Sequence, residues 1–422
     1  MNDFCLRAAD ILLPARQTIE EGRWAAIACD QFTSEPHYWE EADTIVGDAP
    51  STLRMMLPEV YLSETAERLP AIHAAMNDAM ENHLMCHESA MIAVARTQSD
   101  GRVRRGLVAM IDLEQYDYTK GSTSLIRATE GTVLERIPPR VAVRRDAPLE
   151  MPHVMLLIDD PEKTVIEPLF DGDTPHTIAY DTDLMLGGGH IRGHFLTEEE
   201  QSRVLCALKA LITPEAMAAR YGDATLAPLL FAVGDGNHSL ATAKAAFEEI
   251  KSRIGKEAAA LHPARYALAE IVNLHDEALS FEPIYRVLFH VDPEEVLQAL
   301  QAYVAALSGS AAPQKVRVVG LADAPDIFIE HPRQQLTVGT LQAFIDEYLA
   351  SHPKAEVDYI HGEDSTASLS EAPDAIGFLF GGMEKSQLFR TVIYDGALPR
   401  KTFSMGHAQD KRYYMECRKI KS

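Results

Sequence analysis

Short apolar runs alternate with amphipathic stretches of helical period along almost the whole chain, and this alternation closes off most architectures. Strand-like runs fall at 24–29, 106–111, 153–158, 230–233 and 316–319, while period and helix-forming composition mark helices at about 63–84, 197–220, 238–255 and 293–307. Elements that switch period in this way predict a mixed α/β (α+β) fold rather than a helical bundle or a β-sandwich. With 422 residues there is enough chain for two ordinary cores. The expected division is a main α/β domain over 1–289, a smaller inserted α/β domain over 290–380, and a C-terminal segment, 381–422, that returns to the main body. The middle piece opens on His290-Val-Asp-Pro-Glu-Glu, with proline in the first helical turn, and then reads helix, strand, strand, helix, strand.

Charge and cysteine usage narrow the function classes. No apolar run approaches the roughly 18 residues that span a bilayer, and the first ten residues carry acids where a signal peptide carries bases. A cytoplasmic protein without a membrane partner is expected. Five cysteines without a C-x-x-C pair indicate neither a disulfide framework nor a zinc ribbon. A formal charge of -24 sets the protein's own field against DNA, RNA and anionic lipid, so no nucleic-acid partner is expected. A nucleotide would need a local group of Arg, Lys and His, together with a metal ion.

The most informative local feature is Gly234-Asp-Gly-Asn-His-Ser239, where an apolar strand stops and a small-residue helix begins. Gly234 and Gly236 allow a tight turn, and the amides of a first helical turn, with Asn237 and Ser239 in it, suit an anion. Asp235 can hold a divalent cation or take a proton, and His238 can donate to phosphate or act as acid or base near neutral pH. The plain alternative is a helix cap after a glycine turn, because the segment is neither a Walker A loop nor a G-x-G-x-x-G fingerprint.

Other clusters join it. Asp30 and Gln31 follow the 24–29 run, at the kind of strand end where α/β active sites gather, with Ser34 read as the cap of a helix starting at Glu35-Pro36. His190, Arg192 and His194 lie on the glycine-rich run Gly187-Gly-Gly-His-Ile-Arg-Gly-His194, where Arg192 has the fork for a phosphate or carboxylate. Arg127 and Glu130 precede the basic group Arg136, Arg140, Arg144 and Arg145, which a solvated face explains equally well. Lys401 and Thr402 follow a turn near the C-terminus, and the basic run from Asp410 to Lys421 reads as surface. His83 and His87, four apart with Cys86 between them, have zinc-like spacing but no carboxylate at a fixed offset.

Trp24-Ala-Ala-Ile-Ala-Cys-Asp-Gln-Phe-Thr-Ser-Glu-Pro-His-Tyr-Trp39, Gly187 to His194, Gly234 to Ser239, Glu282-Pro-Ile-Tyr-Arg286 and Pro399-Arg-Lys-Thr402 together resemble the family known as domain of unknown function 1015, over nearly the whole length. Those segments specify membership and no activity. The Asp-Gly-x-His box also resembles that of the ParB/sulfiredoxin-like group, which includes an archaeal free serine kinase and in which the box opens a helix and holds nucleotide phosphates. That resemblance implies a ParB/sulfiredoxin-like nucleotide-binding core and a serine or phosphoserine link. Many family members have Asp-Gly-His-His-Arg, whereas this chain has Ser239 in place of the arginine. Either Arg192, Arg286, Lys244 or Lys401 replaces that arginine, or nucleotide binding has been altered or lost.

The reading these features favour is a small-molecule phosphotransferase: a kinase using ATP or ADP and Mg²⁺ on serine or a similar hydroxy compound. The 234–239 turn, His190, Arg192, His194, Lys401 and Thr402 would hold phosphates, and Asp235 the metal. Asp30 or Glu130 would accept the hydroxyl proton, with Asp235 and His238 completing the catalytic group. Gln31, Arg127 and Arg286 would bind the substrate. A phosphatase for a phosphoserine-like substrate would use the same pocket with water as nucleophile. A metabolite-sensing protein would bind without turnover, an option the absent motif arginine favours.

Overall fold

The structure is a computed structural model that describes residues 4–33, 35–131, 137–172 and 175–421. It forms two compact units: Met1–Ala128 with Thr132–Leu279 and Gly406–Ser422, and Thr129–Gly131 with Ser280–Met405. Both are mixed α/β, the class that the alternating period predicts.

The first unit is built on a ten-stranded sheet. Its strands are β1 (Leu6–Arg7), β2 (Ile92–Thr97), β3 (Val103–Asp112), β4 (Tyr116–Asp117), β5 (Ile126–Ala128), β6 (Met155–Ile158), β7 (Ile178–Asp183), β8 (His190–Phe195), β9 (Phe231–Asp235) and β10 (Tyr266–Asn273). They run in the order β7-β8-β2-β3-β10-β6-β9-β5-β4, with β1 beside β3. The pairs β6–β10, β9–β5 and β5–β4 are parallel, and the rest are antiparallel. The sheet is covered on both faces, so the central strands are apolar almost without interruption. One face packs Leu107, Ala109 and Ile271 against Leu240 and Phe247 of a long helix. The other packs Val108, Leu268 and Ile191 against Trp24 and Met415.

The helices used below are α1 (Thr65–Asp78), α2 (Ile137–Asp146), α3 (Glu198–Ala210), α4 (Pro214–Tyr221) and α5 (Asn237–Ile254). The second unit carries a six-stranded sheet, β11 (Phe281–Phe289), β12 (Gln314–Val319), β13 (Ile327–Ile329), β14 (Glu356–His361), β15 (Ala375–Phe380) and β16 (Phe403–Met405), with α6 (Pro293–Ala305) and α7 (Thr337–Ser351). Its order is β13-β12-β15-β11-β14, with β16 beside β11.

Three expectations are corrected. The stretch predicted as one helix over 197–220 is two, because Pro214 has no N–H to continue the ladder and the Thr213 hydroxyl caps a new start by accepting from the Ala216 amide. The 63–84 helix ends its regular part at Asp78, and Cys86 and His87 lie on a strand, Leu84–Ala90, so their helical spacing does not hold. The apolar run at 24–29 forms only an isolated bridge, Ile27 with Arg412. Its backbone is satisfied off-ladder instead: Ser51 and Thr52 hydroxyls donate to the Trp24 carbonyl, Thr52 accepts from Ala26, and Ala28 donates to the Lys411 carbonyl. Among the described residues no helix is long and apolar enough to cross a membrane.

Candidate functional site

Strand β9 ends at Asp235, and Gly236 turns the chain into α5 with a φ of 79°, the left-handed region that glycine enters without strain. A Cβ at Gly236 would stand 3.1 Å from the Val154 Cα, so the position also serves a close approach to the start of β6. Gly234 lies within β9. No side chain caps α5. Asp235 therefore does not serve as the helix cap that its place in the sequence suggests. Its Oδ1 accepts the Gly236 N–H at 2.9 Å, and its Oδ2 lies 3.7 Å from Lys411 Nζ. In the first turn the Ser239 hydroxyl meets His153 Nε2 at 3.0 Å, and the His238 carbonyl accepts from Thr242 at 2.7 Å; Asn237, beside them, is buried.

Asp30 belongs to the same neighbourhood. Burial alone would raise its carboxyl. His153, the hydrogen bond from the Gln31 amide at 2.9 Å, and the cations of Lys411 and Arg140 outweigh burial and hold it below the usual carboxylate range. Two carboxylates thus flank one lysine beside a helix start, with an imidazole and a hydroxyl next to them. Cys29 is not a nucleophile here, since burial pushes its thiol up to about 11.

Sequence reasoning missed Lys411 and His153 as members of this group and left Arg140 open between an anionic ligand and a solvated face. Lys411 lies in the basic run expected to be surface, yet Asp410, Arg412, Glu416 and Arg418 of that run are buried. His153 lies two residues before β6, the strand that pairs with β9, so a correct pairing of those two apolar runs would have placed it at the turn.

His190, Arg192 and His194 do not join the turn. Asp235, Met155 and Glu270 form one cross-strand row on β9, β6 and β10. Glu270 pairs with Arg104, whose register partner is Arg96, and Arg96 stands opposite Ile191. Side chains alternate along a strand, so Arg192 and the two histidines occupy the other face of the sheet. There His190 bonds Asp183 and Asp181, both at 2.7 Å, and Arg192 lies 3.4 Å from Asp181. Burial opposes the charge on His190, but those two aspartates prevail and raise its pKa. His194 packs on His176 and Phe170. The glycines of this run serve the protein itself: a Cβ on Gly188 would collide with the Arg412 guanidinium, and one on Gly189 would lie 2.0 Å from the Thr97 carbonyl oxygen. An Arg192→Ala protein is accordingly expected to bind any phosphate ligand of the α5 turn with unchanged affinity by calorimetry. A loss of about tenfold or more would return Arg192 to the site.

Arg127 is buried and donates to the carbonyls of Ser124, Ala227 and Pro228 at 2.8–3.0 Å, which commits it to holding a loop. Lys244 pairs with Glu248. In the basic group Arg140 pairs with Glu59, Arg144 with Glu150 and Arg145 with Glu249. Arg136 and Ser34 lie outside the described residues. Glu130, Arg286, Lys401 and Thr402 belong to the second unit. There Arg286 is buried and holds the Pro399–Thr402 turn from inside, donating to the carbonyls of Arg400 and Lys401 and to Gln342. The Thr402 hydroxyl closes that turn on the Pro399 carbonyl, and Glu130 bridges to Leu398. Among the described residues no group of three His, Cys, Asp or Glu side chains could hold a metal ion.

The family model described as "Protein of unknown function (DUF1015)" matches residues 12–393. The chain belongs to the DUF1015 family. No curated protein matches this DUF1015 chain in sequence. Among solved structures it is similar to a conserved hypothetical protein from Pyrococcus furiosus, at 11% identity and a TM-score of 0.33 over 71% of this chain and 90% of that one. It is also similar to free serine kinase in complex with AMP, at 11% identity and 0.36 over 74% and 91%. A variant of free serine kinase in complex with ADP gives 11% and 0.36 over 76% and 93%. Overlaps of that depth decide nothing about the chemistry of this DUF1015 member.

Proposed function

We propose that this protein is an enzyme of small-molecule phosphoryl transfer, binding ATP or ADP with Mg²⁺ at the start of α5 and acting on the hydroxyl of serine or a similar compound. The observation that carries the reading is the convergence of Lys411, His153, Ser239, Asp235 and Asp30 on a helix start that no side chain caps. Phosphoryl transfer is mainly positioning and charge neutralisation, and a helix start with a lysine beside it supplies both.

In this reading Lys411 stands in for the arginine that Ser239 replaces. The 3.7 Å gap between Lys411 and Asp235 is too long for a hydrogen bond, which leaves Asp235 Oδ2 open to a second cation. With Asp235 as its carboxylate and no preformed metal cage among the described residues, Mg²⁺ would arrive on the nucleotide's phosphates and take Asp235 as a ligand, the usual manner for this ion. Asp30, kept anionic, accepts the proton of the substrate hydroxyl, and Gln31 orients it. His153 and Ser239 donate to phosphate oxygens.

The test is thermal unfolding with Mg²⁺ against ATP, ADP, tripolyphosphate, serine and phosphoserine. A ligand at a hundred times its dissociation constant adds about 2.7 kcal/mol, a rise of several degrees. Rises with a nucleotide and with serine or phosphoserine are expected. A flat response to every phosphate compound would sink the reading.

A further inference from the structure

Beneath α5 lies a cavity of about 170 Å³ that reaches the site through His153 and Ser239, both of which line it. Its body is apolar. Met55, Met56, Met76 and Met151 contribute four thioethers, with Leu62 and Val143 closing one side. Three of these methionines are almost fully buried, so the inner wall of the cavity belongs to the packed core. A space of about 150 Å³ is large enough to admit a benzene ring, and thioethers favour the edges of aromatic rings.

The polar groups in this wall are few, and nearly all are committed. Glu150 pairs with Arg144 and Arg418. Glu59 takes Arg140 Nη2. Arg140 Nη1, by contrast, is buried and has no hydrogen-bond partner among the described residues. A buried donor without a partner is costly, and an acceptor atom on a bound ring would supply that partner.

We infer that this cavity seats the heteroaromatic base of a nucleotide whose phosphates lie at the α5 turn, with Arg140 donating to a ring nitrogen or ring carbonyl. The inference rests on the phosphate reading given above and adds to it the part of the ligand that sets selectivity. The apolar walls take the faces of the ring, and the His153–Ser239 pair marks the boundary where the charged part of the ligand begins.

The test compares ATP with inorganic tripolyphosphate by calorimetry on the full chain. The wild-type protein binds ATP more tightly by about tenfold or more, the gain expected from burying one ring. Val143→Trp fills the cavity from α2. Leu62→Trp fills it from a position already 41% exposed, which spares the fold. Each lowers ATP affinity to the tripolyphosphate level while tripolyphosphate binding stays the same. Equal affinities for the two ligands in the wild type, or undiminished ATP affinity in both variants, would overturn the base-binding role and leave the phosphate turn intact. Failure of both ligands to bind removes the turn and this inference with it.

Discussion

An Asp235→Asn protein is expected to unfold at the wild-type temperature and to lose the proposed phosphoryl transfer by about three orders of magnitude, the scale of one removed electrostatic element at a reacting centre. The fold is insensitive because the carboxylate's structural contribution is small. Its contact with Lys411 is long and partly exposed, a class of pair worth about 0–1 kcal/mol. Asparagine keeps the oxygen that accepts the Gly236 N–H, so the turn retains its shape. What disappears is the negative charge that can hold Mg²⁺ against the phosphates. The decisive measurement is turnover under saturating Mg²⁺ and nucleotide, paired with a melting curve. Wild-type rates in a normally folded variant would refute the metal role, whereas a large fall in melting temperature would make Asp235 a structural residue.

How legible this site was depends on how local each part is. The strand-to-helix junction can be read from the sequence because glycine at a positive φ and a small-residue helix are local events, and β9 and α5 follow within a residue or two of the expected limits. The α/β class is legible for the same reason, being a matter of period. Lys411 was not legible, because its place is fixed by long-range contacts: the Lys411 carbonyl accepts from Ala28, and the Tyr413 amide donates to the Ala26 carbonyl. The sequence suggests that the C-terminal segment returns to the main body, but it gives no sign that Lys411 lines the end of a strand nearly two hundred residues earlier. The glycine-rich histidine strand was ambiguous for a physical reason. Glycine permits close approach to a ligand or to the protein's own backbone, and here it is Thr97 and Arg412 that approach. The 24–29 run misled because burial and strand pairing are separate requirements. A buried segment needs partners for its amides and carbonyls, and hydroxyls can supply them as well as a neighbouring strand can.

The C-terminal tail carries a second large effect, in stability rather than activity. Glu416 is fully buried; the Tyr180 hydroxyl donates to its Oε1 at 2.7 Å, and its Oε2 has no partner among the described residues. Burial first, with Glu270 adding to it against the bond from Tyr180, raises this carboxyl from 4.5 to about 7. Between those two values the folded chain holds a proton that the unfolded chain has released. Stability therefore falls as pH rises through that window, and above pH 7 the whole penalty is present, on the order of 3 kcal/mol. Glutamine at this position keeps an acceptor for Tyr180 and has no charge to bury. Glu416→Gln is expected to leave stability near pH 4.5 little changed, to raise it by up to about 3 kcal/mol at pH 8, and to flatten the slope between. Both tryptophans, Trp24 and Trp39, lie buried in the first unit with Glu416, so denaturant unfolding followed by their fluorescence reports that unit by itself. Parallel pH profiles for variant and wild type would mean that Glu416 titrates in its ordinary range and that a neighbouring cation, not a proton, neutralises it in the core.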